Sequence, residues 1–296
     1  MRRLRWHFLA VCAWCVAGPL AAQQKVNVRQ AVTPNVSVRI NGPFADLRVR
    51  GGDGDSLILT GTLPAGARLD APLPPAGSPP VRGAKFYIEA PAGAQAGGQL
   101  ELRVPAGATV WAKSGSARID VSGIRGGLDL NVVGGAIVVS GTPRELNVES
   151  MDGDVEVSGS PGWMRVKTAT GSVTVRGSVA DAGISTVAGL VTVADGPFER
   201  VRIETVTGSI AFGASLGRAA TLVIDSHSGA IDLRLDPKLS AEIDATTITG
   251  TITNGVSARR PTPGREGRGA ELTLGLGTGD ARVTLRSFKG NIRLLR

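Results

Sequence analysis

The sequence predicts an all-β chain, a right-handed parallel β-solenoid with coils of roughly 18–21 residues. Three observations carry this. Similar segments follow one another without gaps, apolar residues alternate with polar ones inside each segment, and 41 Gly with 17 Pro in 296 residues supply frequent turns. A sequence of 42% apolar and 20% charged residues can bury a core and does not have the composition of a disordered chain. Gly without a G-X-Y period excludes collagen.

Residues 1–22 read as a secretory signal. Arg2, Arg3 and Arg5 form a basic start, Phe8 to Ala17 is a short apolar run, and Pro19-Leu20-Ala21-Ala22 supplies the cleavage site. The run is far shorter than the roughly 20 residues that span a bilayer, and no later segment reads as transmembrane. Cys12 and Cys15 lie within this signal, and Cys12 lacks the setting of a lipid-anchored cysteine, so the processed chain has no thiol chemistry. Removing three Arg and no acid lowers the net charge from +8 to +5. The expected location is the periplasm, cell surface or exterior.

Residues 23–109 form a less regular β region expected to cap the first coil. Val36–Ile40, Asp46–Arg50, Ser56–Thr60, Lys85–Glu89 and Gln99–Val104 alternate as strands, and the Pro-rich stretch 71–80 reads as an extended loop.

Residues 110–296 hold the repeats, with an inserted loop at 254–270. The unit is apolar-x-apolar-x-[Ser/Thr]-x-x-Gly-x-apolar-x-apolar, as in Leu146–Val157. Gly135, Gly153, Gly171 and Gly189 are 18 apart, and steps of 19, 21 and 21 lead to Gly208, Gly229 and Gly250. An earlier turn is assigned to Gly115 and the last to Gly279. Stacking in this register aligns Leu146, Met164, Val201 and Leu222, and separately Val155, Val173, Val191, Ile210 and Ile231, as inner ladders spaced by about 4.8 Å. The Ser/Thr row (Ser150, Thr168, Thr186, Thr205, Ser226, Thr247) reads as hydroxyls bonded to the turn backbone. An antiparallel sandwich of Gly-turn hairpins is the alternative.

Leu102-Arg103-Val104-Pro105-Ala106-Gly107-Ala108, Ser114-Gly115 and Thr170-Gly171-Ser172-Val173-Thr174-Val175 resemble a bacterial putative-adhesin family of unknown function with β-strand repeats. Asn41-Gly42-Pro43-Phe44 to Gly51-Gly52-Asp53-Gly54 resembles that family's first segment. The resemblance implies an exported, solenoid-like protein and brings no catalytic residues with it.

His227, in Asp225-Ser226-His227-Ser228, is too close in sequence to its neighbours to line up a nucleophile, base and orienting acid, and reads as an exposed turn residue. A single His after residue 22 also excludes a zinc site of the usual type, and no cofactor is expected. Four before the turn glycine, Asn131, Glu149, Lys167, Ser185, Glu204 and Asp225 form one outward row. Glu149 and Lys167 read as an ion pair; Glu204 and Asp225 would be neighbours, close enough to interact as titrating groups or to hold Ca²⁺. Arg259, Arg260, Arg265 and Arg268 concentrate positive charge in the inserted loop and could meet an anionic envelope polymer. Nucleic acid is not expected as a partner.

The functional expectation is an exported, non-enzymatic adhesin or envelope scaffold that contacts a cell-surface polysaccharide or protein. The alternative is a polysaccharide hydrolase or lyase working through Glu204 and Asp225, which would need aromatic platforms that a chain with 4% aromatic residues scarcely offers.

Overall fold

The computed structural model describes residues 24–296 other than 43–44, 73, 76, 91–96 and 265–266. The predicted signal at 1–22 lies outside them. Among the described residues there are 24 strands and no α-helix.

Each coil consists of a front strand, a Gly turn, a back strand and a corner that leads to the next coil. Glu145–Ser150 and Val155–Gly159 form one such coil. Its front strand pairs in parallel with Gly127–Val132 on one side and Trp163–Thr168 on the other. Its back strand pairs in parallel with Ile137–Gly141 and Val173–Gly177. Parallel, in-register rungs establish the solenoid, and the antiparallel sandwich is set aside.

Alternation puts one side of every strand inside. Leu146, Val148, Val155 and Val157 of one coil are all at most 1% exposed. Burying each such side chain contributes about 1.5–3 kcal/mol. The inner ladders run as the sequence predicts: Leu146 opposes Met164, which opposes Ala182, then Val201 and Leu222. Val155, Val173, Val191, Ile210 and Ile231 align on the back face. Where the coils lengthen, Phe198 and Phe212 fill the interior edge to face, with ring centroids 6.1 Å apart.

The hydroxyl row ties each turn to its own strand. Gly153 N donates to Ser150 Oγ (3.0 Å), Gly189 N to Thr186 Oγ1 (3.0 Å) and Gly250 N to Thr247 Oγ1 (3.1 Å). Thr168 and Thr186, on adjacent rungs, have their Oγ1 atoms 3.0 Å apart. Thr168, Thr186 and Thr247 are buried, and their hydroxyls would be costly to leave unpaired.

Chain order and spatial order differ at both ends. Residues 37–41 and Asp46–Gly52 form a rung of the column, between the rung of Val81–Glu89 and Gln99–Pro105 and that of Thr109–Ser114 and Ile119–Ser122. At the other end, Ala281–Ser287 and Ile292–Leu295 slide between the coil of 221–234 and the coil of Ala241–Thr247 and Ile252–Asn254. The last coil in sequence is therefore the penultimate rung in space. Its turn glycine is Gly290, not Gly279: Ser287-Phe288-Lys289-Gly290 follows the repeat, with Gly290 N donating to Ser287 Oγ at 2.7 Å.

Antiparallel strands close the column. Arg68–Asp70 lies on Val81–Glu89, Ser56–Leu63 on Gln99–Pro105, and Ala270–Leu276 on Ala241–Thr247. They pair backbone groups that would otherwise invite another sheet to add on. The exposed terminal strand Ile252–Asn254 is only three residues long.

Candidate binding surface

In-register stacking turns each outward strand position into a row along the front face. One row runs Asn131, Glu149, Lys167, Ser185, Glu204, Asp225, Arg286 and Thr246. Opposite charges meet across rungs: Lys167 Nζ is 3.6 Å from Glu149, and Asp181 bridges Arg165 (3.2 Å) and Arg200 (3.3 Å). These exposed pairs are each worth a few tenths of a kcal/mol, so they order the surface more than they stabilise the fold.

Glu204 and Asp225 are neighbours on adjacent rungs, and a third group joins them. Arg202 Nη2 lies 2.6 Å from Glu204 and 3.4 Å from Asp225. Its guanidinium is held above its usual range, first by the hydrogen bond to Glu204, then by the charges of Glu204 and Asp225. A cation is thus already supplied by the chain where a shared Ca²⁺ would sit. Among the described residues no group of three or more His, Asp or Glu gathers as a metal cluster.

The pair borders a shallow depression of about 590 Å³ that crosses four rungs and is lined by Arg202, Asp225, His227, Arg286, Ile248 and Phe288, among others. His227 stacks on Phe288, with ring centroids 5.1 Å apart and planes 7° apart. Lys289 Nζ stands 6.0 Å from the Phe288 ring. Phe288 remains 45% exposed, between His227 on one rung and the exposed Ile248 on the next. The result is an aromatic step with cations and hydroxyls at its margin, a surface on which a ring can stack.

The Arg loop is elsewhere. Arg259, Arg260 and Arg268 are exposed and follow the terminal strand Ile252–Asn254, and Arg265 lies outside the described residues. Asn254 shapes the loop start, its Nδ2 donating to Arg259 O at 2.8 Å and its Oδ1 accepting from Val256 N at 3.0 Å.

Arg286 and Phe288 escape a reading of the sequence that assigns the last turn to Gly279. The signal was present, because Ser287-Phe288-Lys289-Gly290 matches the Ser-x-x-Gly unit. Only the insertion of that coil beside Asp225–His227 makes a site of it.

No curated protein matches the chain. A putative adhesin of Bacteroides fragilis NCTC 9343 is similar over 93% of this chain and 99% of its own, at 10% identity and a TM-score of 0.43. A putative cell adhesion protein of Clostridium sporogenes ATCC 15579 covers 92% and 99%, at 8% identity and a TM-score of 0.21. The sequence model of Toastrack DUF4097, a domain of unknown function, matches residues 92–295, more than half of the chain, and the protein belongs to that family.

Proposed function

We propose that the protein is an exported, non-enzymatic adhesin or envelope scaffold that docks a cell-envelope polysaccharide or protein on its front face. The observation that carries this reading is the Phe288–His227 step, an exposed aromatic surface bordered by Arg286, Lys289 and the Arg202–Glu204–Asp225 cluster. Rigid in-register rungs hold these groups in place before any ligand arrives, which lowers the entropic cost of binding. The guanidinium of Arg202 between the two carboxylates favours binding over hydrolysis, because an acid pair working on a glycosidic bond needs that space for substrate and water.

The test is co-sedimentation of the purified protein with isolated cell envelope and a panel of insoluble polysaccharides, with assay of released sugar ends. Pelleting without release supports the reading, provided that Phe288→Ser with Arg286→Gln weakens it at least tenfold. Release of sugar ends that Glu204→Gln or Asp225→Asn abolishes would establish the hydrolase or lyase instead.

The loop bearing Arg259, Arg260, Arg265 and Arg268 is a second contact in this proposal, for anionic groups of the envelope. Changing all four to Ala should weaken pelleting and reduce its salt sensitivity; unchanged pelleting removes the loop from the interface.

A further inference from the structure

The opposite end of the front face carries a different surface. Lys85, Arg39 and Trp111 occupy one outward row on three successive rungs, since Arg39 opposes Lys85 on one side and Trp111 on the other. Tyr87, Asn41 and Lys113 form the neighbouring row on the same rungs. Arg39, Lys85 and Lys113 are exposed, Tyr87 is 40% exposed and Trp111 is half-buried. The ion pairs found among the described residues include none of the three cations, whereas the middle of the same face is laced with pairs. The nearest acids in the register are Asp70, opposite Tyr87, and Asp129, opposite Trp111; Asp129 accepts from Asn147 at 3.4 Å. An open hollow of about 470 Å³, walled by Pro72 and lined by Ser37, Arg39 and Lys85, continues the patch toward the column end.

We propose that these first rungs bind an acidic polysaccharide, with Arg39, Lys85 and Lys113 pairing its carboxylates and Trp111 and Tyr87 carrying sugar rings. Three features favour this class of ligand. Cations without acidic partners keep their charge for a polyanion, and several together gain from counterion release. Aromatic faces beside them reward flat, ring-bearing units that a simple polyphosphate lacks. The rungs repeat every 4.8 Å or so, so cations on successive rungs form a regular row against which a repeating polyanion can register. The inference deepens the reading of the protein as a glycan binder but rests on residues remote from the Phe288–His227 step.

The experiment measures affinity of the purified protein for polygalacturonate, for its methyl ester, for polyphosphate and for an oligothymidylate. Polygalacturonate should bind at least tenfold more tightly than the other three. The exposed pair Arg39→Gln with Lys113→Gln should lower that affinity about tenfold and flatten its salt dependence. Trp111→Leu should weaken it with Trp111→Phe keeping most of it, while Arg176→Gln, exposed on the back strand Val173–Gly177 and outside both candidate surfaces, leaves it unchanged. Should Trp111→Leu fail to fold, the Arg39/Lys113 variant carries the test. Equal binding of polyphosphate, tighter binding of the oligothymidylate, no binding, or affinity indifferent to the Arg39/Lys113 change would each overturn the proposal. Loss of polygalacturonate binding in Phe288→Ser would move the glycan to the other end and leave the functional reading standing without this site.

Discussion

A Cβ placed on Gly171 would overlap the carbonyl oxygen of Gly153, the turn glycine one rung earlier. The same close approach repeats from Gly153 on Gly135, Gly189 on Gly171, Gly208 on Gly189 and Gly229 on Gly208. The column of turn glycines therefore exists because stacked turn backbones leave no room for a side chain. A left-handed backbone is not the reason at Gly171, since its φ is not among the positive ones. That requirement belongs to a second column at the ends of the back strands, where Gly141, Gly159 and Gly177 have φ of 121°, 129° and 118°.

Gly171→Ala should accordingly destabilise the protein by about 1–3 kcal/mol through overpacking. Gly115→Ala, with nothing near its Cβ, should change stability by less than about 0.5 kcal/mol. Thermal or urea unfolding of the two variants side by side checks this; equal effects would contradict the stacking explanation.

Thr186 tests the hydroxyl row. Thr186→Val keeps the shape but leaves the Gly189 N–H, now bonded at 3.0 Å, without its acceptor in a buried turn. The expected loss is about 1–3 kcal/mol, with Thr186→Ser recovering most of it. Denaturant midpoints at matched m-values provide the comparison.

Glu101 is held below the usual carboxylate range, chiefly by its hydrogen bond to Arg103, whose Nε lies 2.7 Å away, and further by the charges of Arg103, Arg50 and Arg48. A depressed folded-state value stabilises the fold at pH above the unfolded carboxylate's range, and that contribution disappears as pH falls through the folded value. The exposed Arg103 limits the effect to a few tenths of a kcal/mol. Glu101→Gln should thus be slightly less stable than the parent at neutral pH and equal to it in strong acid, as followed by urea unfolding across pH.

Much of this architecture was legible because one repeat carries all its parts. Leu146-x-Val148 and Val155-x-Val157 name the inward side, Ser150 names the turn bond, and Gly153 the close approach. Register then follows, and with it the adjacency of Glu204 with Asp225 and of Glu149 with Lys167. What periodicity could not convey is the order of rungs at the ends, where partner choice depends on long-range packing. Nothing local to Ala281–Ser287 says that it will pass over the adjoining rung and insert beside residues 221–226. Arg202 was equally hidden, since its role arises from carboxylates two positions along its own strand and one rung away.

The candidate site depends on that insertion, which alone brings Arg286 and Phe288 beside Asp225 and His227. Disulfide trapping tests it most directly, in a chain with Cys12 and Cys15 changed to Ser. The outward residues Val223, Thr284 and Asp244 stand in register on three successive rungs. Val223→Cys with Thr284→Cys should cross-link on mild oxidation, as should Thr284→Cys with Asp244→Cys, whereas Val223→Cys with Asp244→Cys should remain reduced. Cross-linking of that last pair in place of the first would put the rungs in simple chain order and dismantle the site.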